Sequence, residues 1–234
     1  MTTELLFRED AYLRACEATV VESGNGAIVL DRTVFYPLGG GQPGDTGRIS
    51  WDGGSAVVVD TRKGENGAIL HLVEEGAELP QAGSRVKAEI DWERRYRHMR
   101  MHTAMHLIGT LIPYGVTGGN ISESRSRLDF DMPHSADKIQ VTADLQQLVK
   151  ANRAISCRWI SDEELEAQPE LVRTLSVQPP KGAGRVRLVN IEDLDLQPCG
   201  GTHLKSTGEV GAARVSKVEN KGKHNRRLNI VLDD

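Results

Sequence analysis

The most constraining feature of this sequence is a change in its hydrophobic period near residue 90. Before that point short apolar runs alternate with turn residues: the runs at 18–21 and 27–30 flank Ser-Gly-Asn-Gly at 23–26. From Asp91 to about Ile112 the apolar residues instead recur at helical spacing, with Asp91 as the N-cap and Pro113 as the limit. The change predicts two domains, a β-rich domain over residues 1–90 and a second domain over residues 91–234.

The spacing of the remaining runs predicts an α+β fold that begins with a small β-barrel. Runs at 48–51, 56–60, 68–73 and 86–90 add short strands with turn residues between them, which is typical of a barrel or a curled sheet. In the second domain, the sequence pattern predicts a helix from Ala143 to Ala154 capped by Thr142. It also predicts a short helix after Ser161, which has capping-box spacing to Glu164. The strands of this domain are expected at 158–160, 185–190, 212–218 and 228–232.

Composition excludes several classes of protein. No stretch is apolar over the roughly 18 to 20 residues that span a bilayer, and the first residues lack the pattern of a secretory signal. Cys16, Cys157 and Cys199 are too scattered for a disulfide framework. We therefore expect a reduced, cytoplasmic protein with no membrane partner. As a separate expectation, the protein is a monomer.

The net charge of −4 argues against a protein that coats nucleic acid by charge alone. Two local basic segments nevertheless remain candidates for contact with one end of a tRNA, although a solvated surface explains them equally well. The candidate residues are Arg94 and Arg97 in the first segment, and Lys217, Lys221, Lys223 and Arg226 in the second.

Two residue pairs predict a metal site. His102 and His106 are four apart on the long helix and therefore project from one face of it. Cys199 and His203 have the same separation, but Pro198 and the glycine pair between them predict a sharp turn. Imidazole and thiolate are ligands that zinc prefers. With a divalent zinc ion, three neutral histidines and one thiolate give the site a net charge near +1, which suits polarisation of an ester carbonyl or activation of water.

The other histidines have weaker patterns. His98 precedes His102 by four residues, and we interpret it as a neighbour of the site; His71, His134 and His224 are expected on the surface. The segment from His102 to His106 lacks the glutamate that follows the first histidine in zinc proteases, which argues against peptide hydrolysis by that route. A filled four-ligand shell also leaves a structural zinc open as an alternative.

The two pairs carry a resemblance to a known family. His102-Thr-Ala-Met-His106-Leu and Cys199-Gly-Gly-Thr-His203 resemble the signature of alanyl-tRNA editing domains, which occur inside alanyl-tRNA synthetases and as free-standing trans-editing proteins, the AlaX family. Related spacing occurs in threonyl-tRNA synthetases, but the segments 35–47, 126–130 and 207–211 are similar to the alanyl branch. The form that the chain resembles is the medium-length, free-standing one.

The resemblance implies a zinc-dependent hydrolase that deacylates Ser-tRNA(Ala), with Gly-tRNA(Ala) as a second substrate, and spares Ala-tRNA(Ala). The partner implied is the acceptor end of tRNA(Ala), and one zinc ion would be held by His102, His106, Cys199 and His203. Glycines allow close approach of the backbone to a ligand, and polar side chains beside them or beside the metal ligands offer hydrogen bonds. The candidate substrate-binding residues are Gly39, Gly40, Gly41, Gln42, Asp45, Thr103 and Thr202. The alternatives are a tight loop between strands for the glycine-rich stretch and local backbone capping for the threonines.

The catalytic group is not assigned by the sequence. No acid lies at a diagnostic spacing from the ligands, so a water ordered by zinc or a hydroxyl of the substrate is expected to act, with Cys199 essential as a ligand. Two alternatives remain: a non-catalytic, zinc-stabilised module that binds tRNA or a protein, and the same reaction on another tRNA, such as that for threonine.

Overall fold

The computed structural model describes residues 2–172 and 184–233. The chain forms two compact units, Met1–Arg97 and His98–Asp234. The division lies within a long helix, seven residues beyond the change of hydrophobic period at residue 90. In the described residues, no helix is long and apolar enough to cross a membrane.

The first unit is a closed six-stranded barrel, as the sequence predicts. Its strands pair antiparallel in the order β2-β3-β7-β6-β5-β8, while β1 and β4 form a separate parallel pair. In chain order the strands are β1 (Glu4–Leu5), β2 (Ala15–Gly24), β3 (Ala27–Leu30), β4 (Arg32–Thr33), β5 (Gly47–Trp51), β6 (Gly54–Lys63), β7 (Ile69–Val73) and β8 (Arg85–Ile90).

Local chemistry explains why this part of the chain curls. Asn25 and Gly26 both have positive φ, 50° and 71°, as a tight hairpin turn between two twisted strands requires. Along β8 every second residue is buried, so Val86, Ala88 and Ile90 point into the barrel. Side chains from all six barrel strands fill the interior, which is therefore a packed core.

His71 is an exception to the sequence analysis, since its expected place on the surface is wrong. It lies on β7, whose alternation turns it inward, and it is fully buried. Nδ1 lies 2.9 Å from the carbonyl oxygen of Ile28, which can only accept, so Nδ1 carries the proton and Nε2 accepts from the Thr33 hydroxyl at 2.8 Å. His134 and His224 are exposed, as expected.

The second unit combines helices with two antiparallel sheets, which confirms the α+β class. The sheets have the strand orders β14-β15-β10-β9 and β11-β12-β13. The elements, including the helix that crosses the division, are α1 (Trp92–Leu111), β9 (Val116–Asn120), β10 (Ser126–Asp131), α2 (Lys138–Lys150), β11 (Ile155–Ser161), α3 (Asp162–Glu166), β12 (Arg185–Ile191), β13 (Asp195–Pro198), β14 (Ala213–Asn220) and β15 (Asn225–Leu232).

Helix α2 begins five residues earlier than predicted, and Thr142 is not its cap. Asp137 is the N-cap, and its carboxylate accepts from the backbone N–H groups of Ile139 and Gln140. Thr142 lies inside the helix and donates to the carbonyl of Lys138. The buried face begins at Val141, so the helix needs this earlier turn to present it. The capping box of Ser161 and Glu164 is confirmed.

Candidate metal centre

Helix α1 and the loop after β13 bring the two predicted pairs together. The carboxylate of Asp91 accepts from the Arg94 N–H, as an N-cap does, and α1 then continues past both histidines. The ligand atoms of His102, His106, Cys199 and His203 all lie within 4.8 Å of one another. This cluster can hold a metal ion.

Two sulfur–nitrogen distances in the cluster fit a single tetrahedral ion. Cys199 Sγ lies 3.6 Å from His102 Nε2 and 3.3 Å from His203 Nε2. When a sulfur and a nitrogen bind one ion tetrahedrally at about 2.3 and 2.0 to 2.1 Å, they lie about 3.6 Å apart. All three histidines are buried, so water competes little for these donors.

The electrostatics of the cluster favour a bound cation. Burial raises the pKa of the Cys199 thiol, but its electrostatic interactions with His102 and His203 outweigh burial and hold that pKa well below its usual value. Burial and the charge of His102 lower the pKa of His203. Burial also lowers the pKa of His106, but Asp195 and Cys199 outweigh it and raise that pKa to about 9. The thiolate and the carboxylate thus attract positive charge to this point.

Two partners of His106 come from β13, and sequence reasoning missed both. Asp195 Oδ2 lies 3.6 Å from His106 Nδ1, and Gln197 Nε2 lies 3.0 Å from the same nitrogen. Gln197 also donates to Asp195 Oδ2 at 2.6 Å. Outer partners of this kind fix the ring orientation of a metal-binding histidine. A signal existed: residues 195, 197 and 199 alternate along one strand and therefore share a face.

Arg187 on β12 holds the loop that carries the other two ligands. Its Nη1 donates to the carbonyls of Cys199 at 3.0 Å and Gly201 at 2.9 Å, and the Cys199 N–H donates to the Arg187 carbonyl at 3.0 Å. The side chain is buried. Sequence reasoning missed this residue as well, although an arginine between the apolar residues 186 and 188 was a usable signal.

Thr103 contacts a ligand directly. Its Oγ1 lies 3.2 Å from His203 Nδ1 and accepts from the Leu204 N–H at 3.3 Å. This contact leaves His203 Nε2 facing the sulfur. Thr202 and His98 are buried too, and neither belongs to the four-residue cluster.

The glycine-rich loop lies in the first unit. The backbones of Gly39 and Gln42 exchange hydrogen bonds of 3.1 and 3.0 Å, and Gly40 and Gly41 turn the chain with φ of 57° and 81°. Asp45 is buried and forms an ion pair with the buried Arg95, while its Oδ2 also accepts from the Tyr36 N–H. The burial of Asp45 is therefore explained by its structural contacts with Arg95 and Tyr36, without a substrate.

The predicted basic contacts differ in accessibility. Lys217, Lys221 and Lys223 are exposed. Arg226 is buried, and its guanidinium donates to the carbonyls of Pro133 at 2.6 Å and Gly222 at 2.7 Å, which accounts for it as a support of the β14–β15 hairpin. In the first unit, Arg94 is partly exposed and donates to the Gly44 carbonyl at 2.6 Å, and Arg97 is also partly exposed.

Two family models match the chain: class II (A) tRNA synthetases over residues 9–94, and the second additional domain of threonyl and alanyl tRNA synthetases over residues 186–229. The alanyl-tRNA editing protein AlaX-M of Methanosarcina mazei is 40% identical and aligns over 99% of this chain and 97% of its own length. AlaX-M of Saccharolobus solfataricus is 35% identical, with 97% of each chain covered. The alanine–tRNA ligase of Pyrobaculum arsenaticum is 38% identical over 93% of this chain and 25% of its own length.

Proposed function

Since the chain belongs to the family of the alanyl-tRNA editing proteins AlaX-M, we propose that it removes a wrong amino acid from tRNA(Ala) by hydrolysis of the aminoacyl ester. The substrates are Ser-tRNA(Ala) and, second, Gly-tRNA(Ala), and Ala-tRNA(Ala) is spared. We expect it to act as a monomer in the cytoplasm. The observation that carries the proposal is the cluster of three buried histidines and a cysteine in a chain that aligns with these relatives over nearly its whole length.

We further propose that the ion is zinc and that His102, His106, Cys199 and His203 hold it. The nitrogen and sulfur donors, and their separations, are those that zinc prefers. When bound, zinc supplies positive charge that polarises the ester carbonyl.

The chain's own residues keep this site rigid. Asp195 and Gln197 orient His106, Thr103 orients His203, and Arg187 holds the loop between Cys199 and Gly201. Because these hydrogen bonds fix the ligands, the site can hold an ester in one orientation. Orientation of this kind supplies much of the rate acceleration in such reactions.

Selectivity for serine requires a hydrogen bond that alanine cannot make. An apolar pocket rejects an added hydroxyl only weakly, whereas a site built to bond that hydroxyl discriminates strongly. Thr103 and Thr202 lie beside the ligands in sequence and are the proposed partners. The glycine-rich loop, through Gly39, Gly40, Gly41, Gln42 and Asp45, remains a proposed contact for the rest of the substrate.

The phosphates of the acceptor stem would be bound by basic side chains. Lys217, Lys221 and Lys223 are exposed on and beside the β14–β15 hairpin, which Arg226 supports from within. Arg94 and Arg97 are the candidates in the first unit.

The test is deacylation of Ser-tRNA(Ala), Gly-tRNA(Ala) and Ala-tRNA(Ala) by the purified chain, with metal content assayed and a mischarged threonine tRNA alongside. We expect loss of serine and glycine, retention of alanine, and about one zinc per chain. Cys199→Ala should abolish both zinc binding and hydrolysis, whereas Cys16→Ala, its matched control in the barrel, should change neither.

Other outcomes separate the alternatives. Zinc binding without hydrolysis of any ester would identify a binding module, and cleavage confined to the threonine tRNA would identify a different substrate. Full activity in metal-free Cys199→Ala would contradict a catalytic role for the ion.

A further inference from the structure

Three side chains form a row across the sheet β11-β12-β13. Trp159 pairs with Arg187 in the β11–β12 ladder. The register of β12 with β13 places Leu188 opposite Pro198, and the Cys199 N–H donates to the Arg187 carbonyl. Residues directly opposite one another in antiparallel strands point to the same face. The row therefore runs from the metal ligand Cys199, through Arg187, to Trp159.

One face of this sheet carries the metal cluster, and part of the other face packs a hydrophobic cluster. Asp195, Gln197 and Cys199 alternate along one face and contact the histidines of α1. The opposite face packs a hydrophobic cluster made of Ile160, Leu171, Val186 and Leu188. A ligand held at the metal cluster that extends along the sheet on the same face therefore passes Arg187 and reaches Trp159.

On that face the accessible part lies along β11. Arg187 is buried, but β11 is an edge strand, and on it Cys157 is exposed and Trp159 is partly exposed. The guanidinium of Arg185, itself exposed, lies over the Trp159 ring with 4.8 Å to the ring centroid. We name the Trp159 and Arg185 side chains the β11 shelf.

The distance suits the end of a nucleic acid strand. Neighbouring strands lie about 4.8 Å apart, so the backbone at Trp159 is about 10 Å from that at Cys199. That span equals about three nucleotides when the strand stays stacked, at a rise of about 3.4 Å each. If the ester lies at the metal cluster, a base among the last three nucleotides reaches the shelf.

We propose that the β11 shelf binds the unpaired 3′-terminal nucleotides of the tRNA, with a nucleobase stacked on Trp159 and a phosphate paired with Arg185. The proposal rests on the proposed function, because that function places the ester at the metal cluster. Unpaired strands are commonly held by aromatic side chains, on which any base stacks, together with arginine. The planar guanidinium of arginine is suited both to stacking on an aromatic ring and to binding phosphate.

The experiment measures binding of uncharged RNA, so it does not depend on hydrolysis. The probes are two fluorescently labelled acceptor-stem hairpins, one with its unpaired 3′ nucleotides and one without them, titrated with the zinc-loaded protein. The variants are Trp159→Ala, Trp159→Phe and Arg185→Gln. Arg158→Gln is the matched control, because Arg158 is exposed on the same strand but points to the opposite face.

We expect the complete hairpin to bind about tenfold less tightly to Trp159→Ala, the loss of one stacked base, while Trp159→Phe retains most of the affinity. The truncated hairpin should bind wild type and Trp159→Ala equally, since the contact is then already lost. Arg185→Gln should weaken binding of the complete hairpin, and Arg158→Gln should not. With charged tRNA, Trp159→Ala should raise KM and leave kcat within about twofold.

Equal weakening of both hairpins by Trp159→Ala, or no weakening of either, would overturn the proposal. If Trp159→Ala does not fold, the same comparison of the two hairpins is made with Arg185→Gln, which is expected to fold because Arg185 is exposed. Normal deacylation with unchanged KM in Trp159→Ala rejects the shelf and leaves the proposed function standing. Shelf-dependent binding without any deacylation supports the shelf as an RNA site and rejects the proposed function.

Discussion

At the scale of single residues, the candidate metal centre depends on groups that do not bind the ion themselves. His106 faces the sulfur only if its ring is held, and Asp195 and Gln197 both reach its Nδ1. The negative charge of Asp195 also contributes to the raised pKa of His106. A carboxylate in this place therefore orients the imidazole ring and also makes it a stronger metal ligand.

Asp195→Asn should lower the affinity for zinc by about 10- to 100-fold, because it removes that charge with little change of shape. Competition against a chromogenic chelator measures the affinity. Asp193→Asn is the control, since Asp193 lies two residues away with its side chain 86% exposed. Equal affinities for both variants would show that Asp195 does not orient a ligand.

His71 gives the barrel a dependence on pH. Burial lowers its pKa from 6.5 to about 4 in the folded chain. Between these pKa values the unfolded chain binds more protons than the folded chain. The contribution of neutral His71 to folding stability is therefore complete above about pH 6.5 and is lost as pH falls towards 4. The loss between pH 7.5 and pH 5 is about 2 kcal/mol.

Urea unfolding at the two pH values measures this loss. His71→Gln should be less stable at pH 7.5 and should lose that part of the pH dependence. His134→Gln, at an exposed position, should behave as wild type does. A His71→Gln variant with unchanged pH dependence would assign the effect to other groups.

At the scale of elements, the loop after β13 is irregular and is held in place by hydrogen bonds from its neighbours. Pro198 at the end of β13 and the glycines of the loop exclude a helix, so the shape of the loop comes from contacts with neighbours. Arg187 bonds two of its carbonyls, and Thr103 accepts from the Leu204 N–H just past its end. The position of two ligands therefore depends on β12 and α1.

Arg187→Met should destabilise the folded chain by about 2 to 3 kcal/mol, because two carbonyls lose a charged donor, and it should weaken zinc binding. Chemical unfolding with zinc bound, together with the chelator competition, measures both effects. Arg158→Met on the other face of the sheet is the control. Unchanged zinc affinity in Arg187→Met would mean that the loop keeps its shape unaided.

At the scale of the whole molecule, charge is distributed unevenly. The chain carries a net charge of −4, yet Lys217, Lys221 and Lys223 are exposed within seven residues of one another. Lys217 and Lys221 each lie near Glu219, at 3.2 and 3.5 Å, but such exposed pairs contribute little to stability. Lys217 and Lys221 can therefore release Glu219 and bind phosphate instead.

Replacing all three lysines with glutamine should reduce the salt dependence of tRNA binding. The slope of log K against log salt should fall by about two to three, the value for three phosphate contacts. The control replaces Lys87, Lys138 and Lys150, which changes net charge by the same amount on exposed positions elsewhere. Equal slopes for both triple variants would mean that net charge alone acts.

Local patterns in the sequence determined much of this protein. The turn at Asn25 and Gly26, the limits of α1 and the box at Ser161 depend on neighbours in the chain, because torsion preferences and capping act over a few residues. The spacing of His102 from His106 places both on one helix face for the same reason.

Tertiary structure decided which distant residues meet. His71 faces inward because β7 closes a barrel, and Asp137 rather than Thr142 begins α2 because the packed face extends one turn earlier. Asp195 and Arg187 reach the ligands through the register of β12 with β13, and Trp159 joins the row of Cys199 and Arg187 through the register with β11. A shift by one residue would turn each of these side chains to the other face, and only the packed sheet excludes it.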